Sequence, residues 1–301
     1  MASASAPERI LQRLDWQVVR RLDGLLQGDY RSLFRGGGLD FAALREYQFG
    51  DDVRAIDWNV TARMTTPHVR EYLEDREITA WFLLDLSPSV DFGTVEAGRE
   101  KRTVLIDFVA TLARLLTRRG NRVGAILYGG ETARTIPVGT GRVQVLRLVE
   151  DLLRQPRLEG APFTDLAPLL VTAHRRIRRR SMVVLISDFI GVPGWERPLE
   201  LLNRRHELLA VRLVDPREID LPNVGPVLME DAETGEQLYV DTADAGFRRR
   251  FRAAGEAREA AVGAAFRRAR VDAVTLSTED DLVRAIVRMA SERRLRRRRP
   301  A

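Results

Sequence analysis

From Ala80 onward the chain alternates short apolar runs with longer segments of helical period, and no other feature constrains the fold as tightly. The strand candidates are residues 80–85, 122–128, 132–138, 182–188, 208–214 and 271–276. Helical segments lie between them at 101–118, 143–154, 165–178 and 195–204, and a last helix covers 280–293. Strands that are apolar on both faces need helices above and below them, and helical crossovers make them parallel. Right-handed crossovers then give an α/β fold with a doubly wound, mostly parallel six-stranded sheet.

Upstream, Ile10, Leu14, Val18, Leu22 and Leu25 recur at helical spacing within 8–27, an amphipathic helix that stops near Gly28. Gly36, Gly37 and Gly38 break the chain, and a charged and aromatic stretch over 44–77 follows, without a clear period in its second half. Between the fifth and sixth strands, 227–231 and 237–241 read as a hairpin turning at Glu233-Thr234-Gly235, followed by an alanine-rich helix over 243–270. The expected organisation is an N-terminal helical and irregular extension over 1–78 and an α/β domain over 79–292. The domain carries an insertion at 217–270, and a basic tail over 293–301 frays into solvent.

Composition removes several kinds of chemistry. There is no cysteine, hence no disulfide, zinc–thiolate site or thiol nucleophile. Lys101 is the only lysine among 49 basic residues, and it sits in Glu100-Lys101-Arg102. No Gly-Lys-Ser/Thr loop is therefore available to cradle nucleotide phosphates. Apolar runs such as Met182-Val183-Val184-Leu185-Ile186 fall short of the roughly 20 residues that a membrane helix needs. The first residues have neither a basic start nor an apolar signal core, so the expectation is a soluble, cytoplasmic protein. The formal charge is +6, yet 43 acidic residues are interspersed with the basic ones. The arginine-rich runs at 175–180, 248–250 and 293–299 accordingly read as solvated faces and a tail in preference to a nucleic-acid site. His68, His174 and His206 share no metal-ligand spacing, and no serine sits in a Gly-x-Ser-x-Gly elbow.

Chemistry concentrates at two strand ends. The first strand closes with Asp85-Leu86-Ser87-Pro88-Ser89 and the fourth with Ser187-Asp188. In the spatial order 3-2-1-4-5-6 these strands are neighbours at the topological switch point, so the two aspartates converge. Close carboxylates repel, and they need a proton, a cation or a hydrogen-bond donor between them. A hard cation with oxygen ligands meets that need, and Mg²⁺ (or Mn²⁺) keeps several waters beside few carboxylates. Thr164, in Phe163-Thr164-Asp165, either adds a hydroxyl from a bordering loop or caps the helix that follows.

Asp85-x-Ser87-x-Ser89 with Thr164 and Asp188 resembles the metal-ion-dependent adhesion site of von Willebrand factor A domains. The resemblance implies that the serines and threonine ligate the ion and that the aspartates act largely through water. It also implies an open coordination position for a partner's Asp or Glu. A second stretch, Leu44-Arg45-Glu46-Tyr47-Gln48-Phe49-Gly50-Asp51-Asp52-Val53-Arg54-Ala55-Ile56-Asp57-Trp58 with Thr61-Ala62-Arg63, is similar to the signature of the domain of unknown function 58 family. Asp231 to Glu236 and Val240-Asp241-Thr242 resemble its C-terminal pattern. Members are bacterial or archaeal proteins with a von Willebrand factor A-like domain, often encoded beside MoxR-type AAA+ ATPases. This resemblance implies a non-enzymatic, metal-dependent protein-interaction module, an adaptor or co-chaperone of such an ATPase. The competing expectation is a metal-dependent, phosphatase-like hydrolase on the same scaffold. Within the signature, Arg45, Glu46, Asp51, Asp52, Arg54, Asp57 and Arg63 lie among Tyr47, Phe49, Ile56 and Trp58. They read first as an internal salt-bridge network and second as a docking surface.

Overall fold

The computed structural model describes residues 5–25, 44–49, 51, 53, 56–64, 66–70, 78–93, 99–129, 133–158, 164–230 and 235–298. Residues 1–34 and 78–301 form one compact unit and residues 35–77 a second. The first helix of the chain thus belongs with the sheet and not with the signature stretch.

That helix is α1 (Ala6–Leu14), continued through one π-helical turn (Asp15–Val19) into α2 (Arg20–Leu25). Ser5 and Glu8 cap its start reciprocally. Its apolar positions from Ile10 to Leu22 recur every fourth residue, wider than the 3.6 of an α-helix. The π turn, closed by Arg20 N–H on the Asp15 carbonyl, absorbs the excess, and Leu14, Val18 and Leu22 all remain buried.

The smaller unit holds β1 (Leu44–Glu46), α3 (Trp58–Met64) and β2 (His68–Arg70), with β1 and β2 antiparallel. Arg45 grips Asp51 through two bonds of 2.6 and 2.7 Å, and Asp57 accepts the Val60 N–H at 3.2 Å inside the first turn of α3. Arg45 with Asp51 supplies one ion pair of the expected internal network; Asp52 and Arg54 lie outside the described residues. Phe49 and Trp58 do not join a core and are exposed.

The larger unit continues with β3 (Thr79–Asp85), α4 (Lys101–Thr117), β4 (Arg122–Tyr128) and β5 (Ala133–Gly139). Next come α5 (Gly141–Leu153), α6 (Ala167–Arg176), β6 (Met182–Ser187), α7 (Glu196–Arg205) and β7 (Glu207–Val214). A hairpin of β8 (Pro226–Glu230) and β9 (Gln237–Asp241) and a long α8 (Ala245–Arg268) precede β10 (Asp272–Ser277) and α9 (Leu282–Arg298). Most of the hairpin's turn, 231–234, lies outside the described residues.

The sheet order is β10-β7-β6-β3-β4-β5, parallel except for β5 against β4. This is the doubly wound order, with β3 and β6 adjacent. Successive side chains of a strand point to opposite faces. Phe82 and Leu84 therefore enter the core shared with α1, α4, α5 and α9, while Leu83 enters the one shared with α6, α7 and α8. One expectation fails at the C-terminal end. The last helix runs on to Arg298, and Arg293 does not begin a frayed tail. It is 1% exposed and pairs with Glu207 and Asp272, the acid partners that a buried guanidinium requires. Among the described residues no helix is long and apolar enough to cross a membrane.

Candidate metal centre

β3 and β6 bring their carboxylates to the same end of the sheet. Leu84 pairs with Ile186, so Asp85 lies level with Ser187, and Asp188 follows one residue later. Asp85 is fully buried with both oxygens held: Oδ1 accepts the Ser87 N–H at 3.0 Å and Oδ2 the Ser187 hydroxyl at 2.6 Å. The first bond, from a carboxylate to a backbone amide two residues on, closes a turn of the kind that aspartate favours. It leads the chain into a 3-10 turn at Pro88–Asp91, whose first φ is fixed by proline. Ser87 and Ser89 flank that proline, both buried, with hydroxyl oxygens 3.1 Å apart.

On β6 the chain turns sharply after Asp188, because Phe189 takes a left-handed φ of 58°. Residues with side chains seldom adopt that conformation, and packing must hold it. Here the Phe189 ring lies 5.2 Å from Trp195 and 4.8 Å from Phe266, centroid to centroid. The turn aims the Phe189 N–H at Ser187 Oγ (2.9 Å) and the Ile190 N–H at Asp188 Oδ1 (3.0 Å). Two residues further, Val192 N–H donates to the Thr164 carbonyl at 2.9 Å, and a Cβ on Gly191 would lie 2.1 Å from that same oxygen. Thr164 is thereby bound, backbone to backbone, to the loop that carries Asp188. It does not cap α6, which starts at Ala167 with Leu166 in the cap position.

All five expected residues are buried at this end of the sheet, from 0% exposure at Asp85 to 6% at Thr164. Their donor atoms are all oxygens, three of them neutral hydroxyls. Among the described residues no group of three or more His, Cys, Asp or Glu could hold a metal ion, so a site here has to draw on the hydroxyls. Adjacent ligands of an octahedral Mg²⁺ at 2.0–2.1 Å stand about 2.9 Å apart, close to the spacing of the two serine hydroxyls. The residues present fit a small, hard cation that keeps part of its water.

Residues 43–261 match a family described as proteins of unknown function, DUF58. A protein of Mycobacterium tuberculosis described as uncharacterized protein Rv1480 is 39% identical over 286 residues, 94% of this chain and 89% of its own. The chain belongs to the DUF58 family. A shorter relative from Mycobacterium avium, uncharacterized protein MAV169, is 38% identical over 159 residues, 53% of this chain and 94% of its own. Similar solved structures include the hypothetical protein BatB of Bacteroides thetaiotaomicron (13% identity, TM-score 0.43, 72% of this chain and 99% of that one). Another is the SpRpn10 VWA domain (10% identity, TM-score 0.38, 70% and 95%).

In this DUF58 chain the repulsion between the aspartates is met from within. Burial, and after it the charge of Asp188, push the Asp85 carboxyl up to about 7. Asp188 is met by an ammonium. Lys101, the first residue of α4, is fully buried, and its Nζ donates to Asp188 Oδ2 at 2.7 Å and to Glu218 Oε1 at 2.6 Å. Burial opposes the lysine's charge, but the two carboxylates more than offset it and raise its pKa. Glu218 ends the 3-10 turn Pro216–Glu218 after β7, and its other oxygen accepts the Asp215 N–H at 3.0 Å. Arg212 of β7 donates to the Asp188 carbonyl at 3.3 Å and pairs with Glu259 of α8 at 2.5 Å. Sequence reasoning named Ser187 beside Asp188 without giving it a role, and it missed Lys101, Glu218 and Arg212 as members of the site. Only Lys101 carried a signal, as the single lysine in an arginine-rich chain.

Proposed function

We propose that this protein is a metal-dependent protein-interaction module without enzymatic activity. It engages an Asp or Glu of its partner through Mg²⁺ (or Mn²⁺) and serves as adaptor or co-chaperone to a MoxR-type AAA+ ATPase. The observation that carries this reading is the buried hydroxyl pair of Ser87 and Ser89, 3.1 Å apart beside two aspartates. Neutral ligands leave a bound cation more of its charge than carboxylates would, and that surplus attracts a carboxylate from outside. Ser87, Ser89 and Thr164 would hold the ion, with Asp85 and Asp188 acting through water, as the von Willebrand factor A resemblance implies. When bound, the ion supplies a localised positive charge with a replaceable water. A hydrolase would need a dedicated nucleophile beside the ion, whereas serines and not carboxylates follow Asp85. Support for the ATPase as partner is the family resemblance.

The test is calorimetric titration of the host's MoxR-type ATPase into wild type and Thr164→Ala, each with Mg²⁺ and with EDTA. Wild type is expected to bind only with Mg²⁺, and Thr164→Ala more weakly. Equal affinity in EDTA would overturn the metal bridge, and no binding in either buffer would overturn the choice of partner. Phosphatase turnover that disappears in Asp85→Ala would overturn the non-enzymatic reading.

A further inference from the structure

We infer that Lys101 is a built-in countercation that neutralises Asp188 in place of a metal and thereby sets how tightly the crevice takes one. The inference rests on the metal-dependent reading above. Every other Lys or Arg of the chain is an arginine, yet this position, fully buried between Asp188 and Glu218, holds a lysine. A compact ammonium with three tetrahedrally disposed donors fits such a space, whereas a planar guanidinium needs room for its fork. Two of those donors go to Asp188 and Glu218 at 2.7 and 2.6 Å. With Asp85 satisfied by Ser187 and by its own turn, every carboxylate oxygen of Asp85 and Asp188 has a hydrogen-bond donor without any ion. A cation entering beside Asp188 meets the repulsion of a fixed positive charge within a few ångströms, in surroundings that screen it poorly. Glu218 draws part of that ammonium's charge away from Asp188, so the loop after β7 bears on ion affinity without touching the hydroxyl ligands.

Two substitutions in the full chain should therefore shift affinity in opposite directions. Titration calorimetry with MgCl₂, repeated with MnCl₂, would compare wild type, Lys101→Met and Glu218→Gln, with thermal melts establishing that each is folded. Lys101→Met is expected to tighten the ion by about tenfold or more, and Glu218→Gln to weaken it. A lysine that merely braces the fold would weaken binding in both variants, and that result overturns the inference. If wild type binds and Lys101→Met binds no tighter, the inference falls while the metal site stands. If only Lys101→Met binds, the inference stands and the metal bridge in wild type falls. Should Lys101→Met fail to fold, Glu218→Gln decides, and unchanged or tighter binding there overturns the proposal. If no form binds either ion, both readings fall.

Discussion

Replacing Asp85 with asparagine should reverse part of the pH dependence of folding in metal-free protein. The Asp85 carboxyl titrates at 3.8 when unperturbed and is pushed up to about 7 in the fold, by burial first and the charge of Asp188 second. Between those values the folded protein holds a proton that the unfolded chain has released. The stabilising contribution is full below the lower value and is lost as pH rises through the upper one, opposite to ordinary acid denaturation. At about 1.36 kcal/mol per pH unit across that window, ionising Asp85 costs the fold about 4 kcal/mol by pH 8. Asparagine preserves the shape and cannot ionise. Urea unfolding in EDTA from pH 4 to 8 would show Asp85→Asn gaining on wild type steadily, by several kcal/mol at the upper end. Mg²⁺ should close the gap by stabilising wild type alone. A difference between the two proteins that stays constant with pH would remove the basis for a raised Asp85 pKa.

His206 titrates in the opposite sense: burial first and Arg205 second lower its pKa to about 4, so stability rises with pH from about 4 to 6.5. His206→Gln should flatten that rise, worth at most about 3 kcal/mol, and the same urea series would expose an unchanged slope. Gly191→Ala forces a Cβ to within 2.1 Å of the Thr164 carbonyl, and should cost about 1–3 kcal/mol and abolish the Mg²⁺ response in thermal melts. A fully retained response would show that Thr164 is not positioned by that contact. Mg²⁺ at a hundredfold excess over Kd should stabilise wild type by about 2.7 kcal/mol and Asp85→Ala not at all, and coincident melts with and without chelator would rule out a site of useful affinity.

The sheet was legible because its central strands β3, β4, β6 and β7 are buried on both faces and therefore read as near-continuous apolar runs, Met182 to Ile186 above all. Strand order followed from crossover handedness, and with it the convergence of Asp85 and Asp188. What stayed hidden was pairing across long separations. Lys101 meets Asp188 and Glu218, 87 and 117 residues away, and as a charge at a helix start it looks like any solvated residue. Arg293 was misread for the same reason, since a basic run gives no hint that one member is buried against Glu207. The π turn escaped because four-residue spacing was taken for an α period. Phe189 shows no mark in sequence of its left-handed backbone, which only its aromatic neighbours in space can hold.

The seclusion of Lys101 matters to anyone handling the protein at the bench. Succinimidyl dyes, glutaraldehyde and amine-to-amine crosslinkers attack exposed, unprotonated amines. The only side-chain amine here is 0% exposed and kept protonated by two carboxylates. Such reagents will find no lysine on the surface, so crosslinking through this chain's side chains has to run through carboxylates or arginines. Conversely, any adduct that does form on Lys101 marks a moment when the Asp188 and Glu218 loops came apart. Its rate of accumulation, read by mass spectrometry, is a clock for the opening of the crevice.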